Sequence, residues 1–265
     1  GRLSVDNNSS VWTGCTADLD ISAAGIFDMR ADGAQVDALT GAGVVSNSYG
    51  NGVGVAELLI LGVANGSGLF TGYIGDGPGS GSGEGNGLIA VTKVGSGTQT
   101  LAGVNTYRGA TTVAGGVLAL GATGSISNST LIQVNSGAVL DVTAAGVIQL
   151  NTNQTLRGGG LVQGAVIAQP TSRLVPGTGG VGGTLETLSI AGHVALHAES
   201  TNSFNLGAST NAGGGFNDLV AIAGDLEPSN SVVQIILNAP PANGTYRLFT
   251  YTGTKLSSFN PIVDM

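Results

Sequence analysis

Gly97-Thr-Gln-Thr-Leu-Ala-Gly-Val-Asn-Thr-Tyr-Arg-Gly-Ala-Thr-Thr-Val-Ala-Gly-Gly-Val-Leu-Ala-Leu120 is the stretch whose reading decides the fold. Three β-prone runs, 98–102, 110–114 and 117–120, are separated by corners that contain glycine. Gly, Thr, Val and Asn dominate the stretch, and none of them favours a helix. Alternation places Leu101 on one face of its run, and Leu118 with Leu120 on one face of theirs. Runs this short bury little alone. They make sense as one coil of a solenoid, with similar coils stacked on either side.

The segment from Gly97 to Val113, followed by Gly115-Gly116-Val-Leu-Ala-Leu120, resembles the autotransporter-associated β-strand repeat, whose pattern runs G-T-L-T-L-S-G-x-N-T-Y-T-G-x-T-T-V-x-x-G-x-L. The close match covers residues 97–120, and weaker echoes cover most of the chain. Proteins with this repeat are large secreted bacterial surface proteins. The resemblance implies a right-handed parallel β-helix and an extracellular or cell-surface location. It implies an activity far less directly.

Working outward, glycine is the unusual component: 47 of 265 residues, against an ordinary share of about 7%. Each glycine inside a strand costs about 0.5–1 kcal/mol relative to alanine, so the sheets must recover that through regular stacking. Charged residues are 9% and net charge is −8. Low charge with 42% hydrophobic residues argues against disorder, and two lysines, Lys93 and Lys255, make a nucleic-acid-binding basic patch improbable. Aromatics are 5%, with Trp12 the single tryptophan, which weakens a sugar-stacking reading. Cys15 has no partner for an internal disulfide and reads as a small, buried or partly buried residue, with an intermolecular bridge as the alternative. No apolar run reaches the ~20 residues of a membrane helix. The chain begins at Gly1 without a leader-like apolar region and ends at Met265 without an evident cap, which reads as a piece of something longer.

Two regions echo each other. Gly25-Ile-Phe-Asp-Met29 precedes Leu39-Thr-Gly-Ala-Gly-Val-Val45, and Gly137-Ala-Val-Leu-Asp-Val142 precedes Leu156-Arg-Gly-Gly-Gly-Leu-Val162. Alternation predicts Phe27 and Met29, or Leu140 and Val142, pointing inward, with Asp28 and Asp141 outward. Further strands are expected over 57–61, 69–74, 88–94, 130–134, 147–150, 166–168, 187–191, 194–198, 203–206, 218–222, 232–237 and 245–251. Coils of about 20–25 residues would give roughly a dozen turns at the ~4.8 Å strand spacing. Gly75–Gly87 reads as a glycine-rich loop leaving one coil, with an interdomain linker as the alternative. The expected organisation is coils over 1–184, then terminal coils and a more irregular β cap over 185–265, continuous with the solenoid.

Candidate chemistry is sparse. Gly177-Thr-Gly-Gly-Val-Gly182 fits G-x-G-x-x-G, but strand rather than helix is expected after it, so a dinucleotide site is not supported. His193 and His197 would be about 13 Å apart along a strand, too far for one metal. Asp76 and Glu84 are thin material for calcium. A polysaccharide-degrading β-helix would need paired carboxylates, or a calcium site with a basic residue, clustered in one groove; Asp18 with Asp20, and Asp141 with Arg157, are the available seeds. Asn105, Asn128, Asn135, Asn151 and Asn153 fall near corners, where side-chain amides bond the backbone. The reading is therefore an all-β parallel solenoid with no catalytic, cofactor-binding or metal residue assigned. Its expected role is a stiff adhesive surface stalk or fibre. Expected partners are further copies stacked head to tail, or surface and matrix components; neither nucleic acid nor membrane insertion is expected. A monomeric passenger adhesin and a carbohydrate-active enzyme are the alternatives.

Overall fold

The structure is a computed structural model describing residues 1–4, 14–30, 33–49, 55–77, 87–260 and 263–264. Its regular elements, among the described residues, are all strands. The chain divides into two compact units, Gly1–Leu131 and Ile132–Met265. In each unit the strand pairs are parallel.

In the first unit one sheet runs, in spatial order, Leu19–Ile21, Leu39–Gly41, Gly68–Phe70, Thr98–Leu101 and Val117–Leu120. A second holds Arg2–Ser4, Ile26–Asp28, Val44–Asn47 and Tyr73–Asp76; a third holds Ala34–Val36, Ala56–Leu61, Leu88–Lys93 and Thr111–Val113. The chain visits the sheets in turn, so each coil has sides and corners, and like positions stack. Ile21, Gly41, Phe70, Leu101 and Leu120 form one inner row. Fully burying a leucine or phenylalanine contributes about 1.5–3 kcal/mol, so stacking supplies what a three-residue strand lacks.

The stretch 97–120 forms the strands Thr98–Leu101, Thr111–Val113 and Val117–Leu120. Leu101 and Leu118 are fully buried and Leu120 nearly so. Gln99 shares their interior. Its Oε1 accepts from Leu39 N at 3.0 Å and its Nε2 donates to Leu39 O at 2.8 Å. The amide reaches across Gly68, where a Cβ would lie 2.9 Å from Gln99 Oε1. The third side of this coil has no strand. An isolated bridge, Val104 to Ser125, replaces it. Asn105 reinforces that side: Oδ1 accepts from Ile74 N at 2.9 Å, and Nδ2 donates to Gly103 O and Ser125 O, each at 3.0 Å.

In the second unit one sheet runs Val139–Asp141, Leu161–Gln163, Thr187–Ile190, Leu219–Ile222 and Phe249–Tyr251. A second holds Val147–Leu150, Ala165–Ala168, Val194–Leu196 and Leu226–Glu227. The third includes Thr155–Gly158, Arg173–Pro176, Thr201–Leu206, Val232–Leu237 and Val263–Asp264. Leu140, Val162, Ile190 and Ile222 make an inner row. One corner recurs: Gln154, Ser172, Ser200 and Ser231 each donate their amide to the carbonyl three residues back. The residue before each, Asn153, Thr171, Glu199 or Asn230, has φ between 61° and 68°.

Several expectations change. Asp28 is not outward: it is fully buried, because Arg2 and Ser48 close over it. Arg2 Nε donates to Asp28 Oδ2 at 3.1 Å, and Ser48 N and Oγ donate to its two oxygens at 2.8 and 2.7 Å. The 69–74 run splits into Gly68–Phe70 and Tyr73–Asp76, because Gly72 sits at a corner. Arg173–Pro176 was unexpected, its apolar residues being flanked by Arg and Pro. Coil length varies more widely than expected: Val44 lies opposite Ile26, 18 residues earlier, whereas Leu219 lies opposite Thr187, 32 residues earlier. Corner loops absorb the difference. Residues 78–86 of the glycine-rich segment lie outside the described residues, but the strands on either side, Tyr73–Asp76 and Leu88–Lys93, belong to the same unit, and Gly77 N donates to Gly87 O at 3.3 Å.

Candidate functional site

The sequence candidates are not brought together. Asp18 Oδ1 accepts from Ala38 N at 3.1 Å, and Asp20 Oδ1 from Thr40 Oγ1 at 2.7 Å, so each carboxylate is committed to the next coil. Asp141 accepts from Thr143 N and Oγ1, while Arg157 Nε donates to Gln133 Oε1 at 2.8 Å; the two sit in different sheets. His193 Nε2 lies 3.8 Å from Glu227 Oε2, and His197 opens a corner whose Ser200 donates to its carbonyl. Asp76 pairs with Arg108 Nε at 2.8 Å and accepts from Ile89 N at 2.8 Å; Glu84 lies outside the described residues. Among the described residues no group of three or more His, Cys, Asp or Glu is placed to hold a metal ion. Asn105 and Asn128 bond backbone carbonyls, Asn135 accepts from Gln133, and Asn153 supplies a left-handed corner.

The glycine motif has a different role. Residues 177–184 form a loop closed by a reciprocal threonine clasp: Thr178 N donates to Thr184 Oγ1, and Thr184 N to Thr178 Oγ1, both at 3.0 Å. Thr187–Ile190 follows as a strand. Left-handed φ at Gly177, Gly179, Gly180 and Gly182 explains the glycines. Asparagines tie the loop to the coils. Asn205 Nδ2 donates to Gly180 O at 2.5 Å and to Asn238 Oδ1 at 2.8 Å. Asn238 Oδ1 also accepts from Gly182 N, and its Nδ2 donates to Gly183 O.

A second loop, 207–217, leaves strand Thr201–Leu206. Its ends meet at the antiparallel bridge Leu206 to Asn217. Asn217 holds it internally, accepting from Gly207 N at 2.8 Å and donating to Ser209 O and Asn211 O at 2.6 Å each. Asp218 is the crossing point. Its Oδ2 accepts from Asn205 N at 2.7 Å and its Oδ1 from Glu186 N at 2.9 Å. Asn205, Asn217 and Asp218 are all buried. Strand Thr201–Leu206 is consequently buried on both faces beyond its first residue. The loops, by contrast, carry apolar side chains in solvent: Val181 is 90% and Phe216 50% exposed.

Burial pushes the Asp218 carboxyl up to about 6; the two amide donors oppose this, and the nearby Glu186 charge adds to it. Burial also raises the Tyr107 phenol, whose OH lies 2.7 Å from Thr111 Oγ1. This arrangement fixes and presents loops. Asn205, Asp218 and Asn238 were missed in sequence, since single polar residues in strand-like runs read as outward. The Asn217-Asp218 pair ahead of Leu219-Val-Ala-Ile222 was the available signal, because Asn and Asp close turns through their side chains.

Residues 91–120 match the passenger-associated-transport-repeat family. The chain is similar to an adhesin, the BmaC autotransporter of Brucella suis biovar 1 (strain 1330), with 34% identity over 170 residues. That match takes in 64% of this chain and 4% of the relative, so the chain spans a small part of that protein's length. Residues 91–120 thus carry a passenger-associated-transport repeat, and over 64% of its length the parallel-coiled chain is similar to part of an autotransporter adhesin.

Proposed function

We propose that this chain is an adhesive, non-enzymatic segment of a surface passenger, in which stacked coils act as a stiff support and corner loops make the contacts. The observation that carries this reading is the pair of loops 177–184 and 207–217. Buried Asn205, Asn217 and Asp218 hold them from beneath, while Val181 and Phe216 stand in solvent. Loops set on a rigid scaffold are where binding residues concentrate, and the relative from Brucella suis is named an adhesin. The test is attachment of chain-coated beads to host cells and matrix. Replacing residues 208–216 with a Gly-Ser segment of equal length should lower attachment at least fivefold with an unchanged β circular-dichroism spectrum; undiminished attachment would overturn the reading. A second reading, head-to-tail stacking of copies into a stalk or fibre, is favoured by the parallel ladders, since each coil is a template for the next. Electron microscopy at high concentration tests it, and strictly single particles would refute it.

A further inference from the structure

Two arginines share one sheet face of the second unit, and neutral groups hold both. In the paired strands Thr155–Gly158 and Arg173–Pro176, Arg173 lies opposite Thr155, and Val175 opposite Arg157. Leu156 and Leu174 are buried in the interior row, so Arg157 and Arg173 both point outward. One strand and two residues apart, their Cα atoms are about 8 Å from each other. Arg157 Nε donates to Gln133 Oε1 at 2.8 Å. Arg173 Nη2 donates to Ser203 Oγ at 3.0 Å and to Gln234 Oε1 at 3.2 Å. Each guanidinium carries five N–H donors, so most of both forks stay free. Arg157 is half-buried and Arg173 exposed. Among the described residues, the arginines that meet an acid are Arg2 and Arg108 of the first unit. A carboxylate in place of Gln133 or Gln234 would make a bond roughly twice as strong. The amides instead orient the guanidiniums and leave their charge uncancelled.

The surrounding face selects the partner. Thr155 and Thr201 flank Arg173 in one outward row, and among the described residues no exposed large apolar side chain belongs to the rows of the two arginines. Both arginine strands are paired on either side within their sheet, so neither offers a free edge to an added peptide strand. The rows carry no aromatic ring on which a nucleic-acid base could stack. A chain that is polar along its length and bears oxyanions meets all three conditions.

We propose that Arg157 and Arg173 bind an acidic polysaccharide, each guanidinium taking one carboxylate or sulfate group through its free N–H donors, with Thr155 and Thr201 placed for sugar hydroxyls. The planar fork suits such groups better than an ammonium would. The net charge of −8 opposes a polyanion at long range, so single contacts are weak and gain strength by repetition along the glycan. This binding does not require loops 177–184 and 207–217 to make the adhesive contacts.

Biolayer interferometry of the full chain tests this on end-tethered oligosaccharides of equal length: heparin, with sulfates and carboxylates; hyaluronan, with carboxylates alone; and neutral dextran. Heparin should bind, more weakly as salt is raised, and dextran should not. Hyaluronan binding as well would assign carboxylates, and heparin alone would assign sulfates. Arg157→Gln and Arg173→Gln should each weaken heparin binding about fivefold, and both together more. Arg247→Gln, which removes a cation elsewhere in the unit, should leave it unchanged. If the arginine variants do not fold, Gln133→Glu with Gln234→Glu sets a carboxylate against each guanidinium and should cause the same loss. Failure of both acidic glycans to bind, equal binding of dextran, tighter binding of a hexaglutamate peptide, an equal loss in Arg247→Gln, or undiminished binding by the arginine variants or the glutamate pair would each overturn the site.

Discussion

Single residues in this solenoid matter according to what stacks above and below them. Gly72 is the strictest case. A Cβ there would lie 1.8 Å from Gly43 O, and one on Gly103 would lie 1.8 Å from Gly72 O. Gly72→Ala should therefore destabilise the first unit by about 3 kcal/mol, measured by urea unfolding; a loss below about 0.5 kcal/mol would contradict the contact. Glu199 is the opposite case. It holds φ 68° without being glycine, a strain of about 1 kcal/mol. Glu199→Asn should raise the melting temperature of the second unit by a few degrees, and a lowered one would show that the glutamate earns its place otherwise. Asp28 gives a pH prediction. Burial would raise its carboxyl, but Ser48 and Arg2 outweigh that and hold it below 3.8. Its stabilisation is present above 3.8 and is lost as pH falls through the depressed value. Asp28→Asn should remove that part of the acid destabilisation, seen as a shallower fall in melting temperature below pH 4.

At the scale of elements, two devices replace missing pairing. Gln99 bridges over Gly68, and Asn105 stands in for a third strand on the coil of the deciding stretch. Asn105→Ala removes one buried and two part-buried bonds, two of which reach neighbouring coils, and should cost about 3 kcal/mol in urea unfolding; a cost under 1 kcal/mol would show that the Val104 to Ser125 bridge suffices. Much of this level was legible in the sequence. Val117–Leu120, Val147–Leu150 and Val232–Leu237 fall where alternation puts them. Boundaries at corners were less legible, because Gly, Thr and Asn serve both strand and turn in this chain. The loop platform was not legible. The bonds that Asn205, Asp218 and Asn238 make span 13 to 56 residues, and only the register of the coils brings them together.

For the molecule as a whole, each unit buries one carboxyl with a displaced titration: Asp28 in the first is held below its ordinary value by Ser48 and Arg2, and Asp218 in the second is pushed up by burial. A passenger-associated-transport repeat and similarity to part of an autotransporter adhesin are what the comparisons give, and the proposed adhesive role rests on the loops. The sequence by itself determined that the chain is all-β, parallel and coiled. That information is local: glycine at corners, alternation in short runs and one well-formed repeat are enough to set strand spacing and inward rows. Only the tertiary structure decided which polar residues are buried. Asp28, Gln99, Asn205 and Asp218 look outward-facing or neutral in a linear reading. They are buried because residues 13 to 60 positions away, or loops returning over a strand, cover them and bond them. Burial depends on how coils stack, and stacking is a property of the folded chain rather than of any stretch within it.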